Sequence, residues 1–196
     1  MFPIRLAVLA SGSGSNAENI YNYFSSNKNI EIAVIISNKA DAYVHKRAER
    51  LGIASLTMSK SDLSDSEKML SLLRKYQIDF IVLAGYLLRI PSGLIEAYPH
   101  RIVNIHPALL PKFGGKGMYG DRVHEAVVEA GEKESGITIH YVNENYDEGD
   151  IVFQAKCPVF EKDSPDAVAS KVHALEYKHY PSVIDRILRK EFPDCL

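Results

Sequence analysis

The sequence predicts an α/β fold: a doubly wound, mostly parallel sheet with helices on both faces and late antiparallel edge strands. Three observations carry that expectation. Short apolar runs alternate with segments of helical spacing up to about His106. Those runs are continuous, as suits strands buried on both faces. Beyond Gly131 the pattern changes to period two, which suits antiparallel strands added late.

The elements follow in order. Residues 5–10 (RLAVLA) run into glycine and serine and read as a buried strand. Residues 16–24 follow as a helix, with Ala17, Ile20, Tyr21 and Phe24 at helical spacing. Residues 32–36 (IAVII) form a second strand, and residues 41–51 a helix that ends before Gly52, a C-cap. Residues 54–57 make a short third strand. Residues 66–76 are helical through Met69, Leu70, Leu72 and Leu73. Residues 80–84 (FIVLA) and 102–105 (IVNI) are the fourth and fifth strands. Residues 136–142 (GITIHYV) alternate, residues 151–159 follow after an acidic turn, and residues 165–189 are mainly helical. No linker interrupts this run, so residues 1–196 are expected to form a single domain.

Composition narrows the class. A chain of 196 residues, 46% hydrophobic, can bury a core without disulfides. A net charge of −2 carries no nucleic-acid footprint. Cys157 and Cys195 lie far apart without metal spacing, which points to free thiols in a reducing compartment. The first apolar run ends in a glycine loop rather than a cleavage site, and no apolar run reaches the roughly 18 residues of a membrane span. A cytoplasmic protein with no membrane contact is expected.

In an open α/β sheet, ligands sit beyond the carboxyl ends of the strands. After the first strand comes Ser11-Gly12-Ser13-Gly14-Ser15-Asn16, then a helix. Glycines allow close backbone approach, and a helix N-terminus offers free N–H groups to a phosphate. The same residues satisfy G-x-G-x-x-A through Gly12, Gly14 and Ala17, but no acid follows the second strand before Asp41. Lys39 would suit a 2′-phosphate there. On the fifth strand, Asn104 and His106 share one face, ahead of Pro107. An amide donor beside an imidazole can bind a carbonyl oxygen that becomes negative. A carboxylate would orient that imidazole and raise its pKa. Glu144, Asp147, Glu148 and Asp150 of the acidic turn are all candidates. His124-Glu125 starts like a zinc helix, but Val128 stands where the second histidine belongs, and no cysteine or histidine cluster has ligand spacing. No metal is expected.

Six segments resemble the folate-dependent formyltransferases that act on glycinamide ribonucleotide, over essentially the whole chain. They are VLASGSGSN from Val8, SNKADA from Ser37, LAGYLLRIP from Leu83, NIHPALLPKFGGKGMYG from Asn104, ITIHYVNENYDEGDIV from Ile137 and VHALEYKHYP from Val172. The resemblance implies formyl transfer from 10-formyltetrahydrofolate, as co-substrate, to the amine of glycinamide ribonucleotide in purine synthesis. It implies Asn104 and protonated His106 as formyl-oxygen binders and Asp147 as the catalytic acid. Ser13, Gly14, Ser15 and Asn16 would hold the substrate phosphate, and Glu176 the ribose. The folate would lie along Leu87, Leu88, Arg89 and Ile90 and the turn from Glu144 to Asp147. The protein would work on small molecules as a monomer or homodimer.

Within the same family, a methionyl-tRNA formyltransferase is expected to carry a further C-terminal domain and a formyl-folate hydrolase an N-terminal one. A nucleotide-sugar formyltransferase normally lacks the serine-glycine loop. From other classes, an NADP-dependent oxidoreductase would rest on Gly12, Gly14 and Ala17, and a non-catalytic phosphoribosyl sensor would bind without turnover.

Overall fold

A computed structural model describes residues 3–196. Its centre is a seven-stranded sheet in the order β3-β2-β1-β4-β5-β6-β7. The first five strands are β1 (Ile4–Leu9), β2 (Ile30–Ser37), β3 (Ser55–Thr57), β4 (Phe80–Leu83) and β5 (Ile102–His106), all parallel to their neighbours in that group. β6 (Glu134–Tyr141) pairs antiparallel with β5, and β7 (Ile151–Pro158) antiparallel with β6 at the sheet margin. The expected mixed sheet is therefore present, with its direction changing after β5.

Alternation along β1 shows why the strands read as unbroken apolar runs. Leu6 and Val8 enter one core with α1 (Ser15–Phe24), α2 (Val44–Leu51), α6 (Asp121–Glu129) and α7 (Pro165–Glu191). Ala7 and Leu9 enter a second core with α3 (Lys60–Leu63), α4 (Ser66–Lys75) and α5 (Ser92–Ala97). Both faces of the parallel strands are covered, so their middles are apolar and polar residues gather at their ends.

Several boundaries differ from the sequence expectation. α2 starts at Val44 rather than residue 41, because the Ala42 and His45 N–H groups bond to Lys39 and Ala42 carbonyls and close a turn first. Gly52 caps α2 in the left-handed region at φ 70°, as expected. Helices α3, α5 and α6 were not expected. α3 is one turn, capped by the Ser59 hydroxyl; α5 contains Gly93, a poor helix former; and α6 emerges directly from a glycine-rich stretch.

The last helix braces the site end of the sheet. Tyr180 on α7 is fully buried, and its hydroxyl donates to the Leu83 carbonyl at 2.8 Å, where β4 ends. Pro181, inside the same helix, has no N–H to give to the Tyr177 carbonyl one turn back. The Asn19 side chain of α1 donates to that carbonyl instead, at 2.9 Å, so α1 and α7 are joined where a helical bond is missing. Replacing Tyr180 with Phe leaves the Leu83 carbonyl without its buried donor, and urea denaturation is expected to show a loss of about 1–3 kcal/mol. An unchanged unfolding midpoint would remove this bond from the account.

Candidate active site

The phosphate-type loop is built by close packing. Gly14 adopts φ 74° as it starts α1, and a Cβ there would lie 2.3 Å from Val44 Cγ2, so only glycine fits. Ser11 is buried and bonds to the loop after β4: its N–H donates to the Gly85 carbonyl at 3.0 Å and its hydroxyl accepts from Leu87 N–H at 3.1 Å. The Ser13 and Ser15 hydroxyls lie 3.4 Å apart. Asn16 donates through Nδ2 to Glu176 on α7 at 3.0 Å, leaving its buried Oδ1 without a partner. Burial pushes the Glu176 carboxyl above its usual pKa, against the pull of the Asn16 amide and His173.

Opposite this loop, at the carboxyl end of β5, Asn104 and His106 meet the turn between β6 and β7. Of the four acids in that turn, Asp147 is the one that reaches the imidazole, with Oδ2 at 3.5 Å from His106 Nδ1. Asp147 sits in the left-handed region at φ 58°, a conformation aspartate tolerates better than most residues. Gly149 secures the turn, since a Cβ there would fall 1.7 Å from the Tyr141 carbonyl. Glu148 instead accepts from the Asn145 amide at 2.8 Å, while Glu144 and Asp150 are exposed.

Hydrogen bonds set the direction of each group. His140 Nδ1 donates to the Tyr141 carbonyl at 2.8 Å, so its Nε2 is left to accept from Asn104 Nδ2 at 3.1 Å. The second Asn104 amide hydrogen has only a long contact, 3.4 Å, to Asp147 Oδ1. His106 Nε2 donates to the Phe113 carbonyl at 2.8 Å, and Gly115 N–H donates to Asp147 Oδ2 at 2.9 Å.

Burial and charge act on the pair in opposite directions. Asp147 raises the His106 pKa, as a carboxylate beside an imidazole should. The imidazole is 3% exposed, and burial outweighs the carboxylate, so its pKa lies below the usual value and the ring is neutral at neutral pH. Burial also pushes the Asp147 carboxyl upward, but His140, His106 and the Gly115 N–H together bring it below its usual value. Asp147 is thus a carboxylate facing the unprotonated Nδ1 of a ring that already holds a proton on Nε2. A proton arriving at Nδ1 is stabilised there by the negative charge.

These groups line a cavity of about 540 Å³. Ser13, Gly14, Ser15, Asn16, Leu87, Asn104, His106, Asp147 and Glu176 all face it. Leu88, Arg89, Ile90 and Glu144 do not. Ile90 is buried in the second core, Leu88 packs on that core, and Arg89 Nε donates to the Glu144 backbone carbonyl at 2.7 Å. That bond ties together the two segments to which the resemblance assigns the folate. Sequence reasoning passed over Tyr86, Lys116 and His173, and weighed His124 only as a zinc ligand; all four also line the cavity. His124 is 2% exposed and its buried Nδ1 has no partner. The signal for His173 lay inside the VHALEYKHYP segment, one helical turn before Glu176. Among the described residues, no group of three or more His, Cys, Asp or Glu side chains is placed to hold a metal ion, and no helix is long and apolar enough to cross a membrane.

Removing the carboxylate takes away the strongest influence that favours the imidazolium. In Asp147→Asn, histidine NMR, with His106→Asn to assign the signal, is expected to show His106 titrating at still lower pH than in the wild type. An unchanged or raised titration would contradict the assignment of the 3.5 Å contact as electrostatic.

The formyl transferase family profile matches residues 4–184. The chain is 43% identical over 189 residues to the chloroplastic phosphoribosylglycinamide formyltransferase of Arabidopsis thaliana, covering 93% of this chain and 65% of that protein. It therefore spans less than two thirds of the plant relative's length. It is 36% identical over 189 residues to the phosphoribosylglycinamide formyltransferase of Bacillus subtilis, covering 94% of each. The crystal structure of the enzyme of that name from Bacillus halodurans superposes with a TM-score of 0.86 at 35% identity, over 95% of this chain and 96% of that one. The chain belongs to the formyl transferase family, and within it to the group that holds the phosphoribosylglycinamide formyltransferases.

Proposed function

We propose that this chain transfers the formyl group of 10-formyltetrahydrofolate to the amine of glycinamide ribonucleotide, a step of purine synthesis. The observation that carries the proposal is the convergence of Asn104, His106 and Asp147 in one cavity with the glycine-serine loop. A phosphate monoester suits one end of that cavity and a developing oxyanion the other.

The ribonucleotide phosphate binds the Ser13 to Asn16 loop, and Glu176 holds the ribose. The formyl folate lies beside Leu87, the residue of the Leu87 to Ile90 segment that lines the cavity, and the turn that carries Tyr146 and Asp147. The amine attacks the formyl carbon directly, so both ligands are bound at once and the gain comes largely from proximity. As the C=O bond opens, the oxygen takes the Asn104 Nδ2 hydrogen that has only a weak contact in the empty site. It also replaces the Phe113 carbonyl as acceptor of the His106 Nε2 hydrogen. Negative charge at Nε2 then raises the affinity of Nδ1 for a proton, and the Asp147 carboxylate stabilises the resulting imidazolium. Asp147 and His106 pass the proton lost by the attacking amine toward the leaving folate nitrogen. The formyl C–N bond to the folate breaks as the new amide forms.

The test is a spectrophotometric assay of 10-formyltetrahydrofolate with and without glycinamide ribonucleotide. Deformylation is expected only with the ribonucleotide; deformylation without it would mark a hydrolase. Asn104→Ala and His106→Ala are each expected to lower kcat by about 10²–10³-fold with the fold intact by circular dichroism. Asp147→Asn is expected to cost about 10²-fold or more. Wild-type turnover in that variant would refute its role.

A further inference from the structure

We infer that Arg47, on the outer side of α2, is a positioning residue for the phosphate end of the site, an inference that rests on the proposed function. A backbone loop binds an anion through its N–H groups, so its carbonyls must be turned away and held there. Three successive carbonyls of this loop are each taken by a donor. Gly12 accepts from the Val44 N–H at 3.2 Å, Ser13 from Arg47 Nε at 2.9 Å, and Gly14 from the Glu18 N–H at 3.0 Å. Among the described residues, the N–H groups of Gly14, Ser15 and Asn16 are left without a protein acceptor. Of the three carbonyl donors, Arg47 is the one supplied by a side chain.

Charge gives Arg47 a second task. Glu18 lies in the first turn of α1, beside the helix end that would receive the phosphate. An unpaired carboxylate there would oppose a phosphate dianion. Arg47 Nη1 and Arg50 Nη2 both pair with Glu18, one on each carboxylate oxygen. The Arg47–Glu18 pair is about four-fifths covered, at 22% and 21% side-chain exposure. Tyr43 holds the guanidinium from its other side, with the ring centroid 5.1 Å away. One planar guanidinium thus fixes the Ser13 carbonyl through Nε while neutralising Glu18 through Nη1. A lysine, with a single ammonium, would not reproduce both contacts in that geometry.

The effect should fall on ribonucleotide binding and not on the chemistry. For Arg47→Ala, the KM for glycinamide ribonucleotide is expected to rise about tenfold or more, with kcat at saturation and the KM for the formyl folate changed by less than about twofold. The Kd for ribose 5-phosphate, measured by calorimetry, should weaken in parallel; this binding needs no turnover, so it stands apart from the proposed function. Arg47→Lys should lie between wild type and Arg47→Ala, and provides the measurement if the alanine variant does not fold. Adding Glu18→Gln to Arg47→Ala should recover part of the phosphate affinity. Unchanged KM and Kd in a folded variant, or equal losses for both substrates, would overturn the inference. Failure of the wild type to turn over, with ribose 5-phosphate still bound through Arg47, would instead count against the proposed function alone.

Discussion

The Asp147 carboxylate is 11% exposed, and a charge so nearly closed off from water must be held by donors and positive charge. It lies against the Asn104 amide, the His106 and His140 imidazoles and the Gly115 N–H. Those four come from β5, β6 and the loop that leaves β5. The β6–β7 turn, the end of β5 and the loop at Gly115 are thereby brought together around this one group. The Gly115 N–H at 2.9 Å and the Asn104 amide at 3.4 Å are its donors, and losing either leaves the carboxylate short of a partner in a low-dielectric setting, where an unmet charge is costly.

The same burial sets the chemistry. A histidine this covered resists protonation, and a carboxylate 3.5 Å away only partly offsets that resistance. The resting pair therefore stores its response: the ring is neutral until negative charge forms at its outer nitrogen, and the carboxylate is already in place to support the cation. The far end of the cavity is built differently, with backbone N–H groups, a helix end and a carboxyl on α7 whose pKa burial has raised. In the proposed function, the cavity separates a place for fixed negative charge from a place for charge that appears only in the transition state.

Much of this was legible in the sequence, and the parts that were not share a cause. The parallel strands were visible because both faces are apolar, and Asn104 and His106 were visible because two polar residues interrupt such a strand where it ends. Choosing Asp147 from four acids by spacing was impossible, since the choice depends on a left-handed backbone and on Gly149 lying against β6. The neutral state of His106 depends on how much of the molecule covers it, which the sequence does not show. Helix α6 and its buried His124 were hidden because nine residues after a glycine-rich stretch give a weak periodic signal. The bond from Asn19 to the carbonyl freed by Pro181 spans 158 positions and has no local trace at all.

The central claim is direct transfer between two ligands held together, and the fate of the formyl carbon tests it most directly. With 10-formyltetrahydrofolate carrying a ¹³C formyl group and glycinamide ribonucleotide present, NMR should find the label in a formamide on the ribonucleotide nitrogen. Its disappearance from the folate should match that product mole for mole. Label accumulating as free formate would contradict the claim and recast the cavity as a site that delivers the formyl group to water.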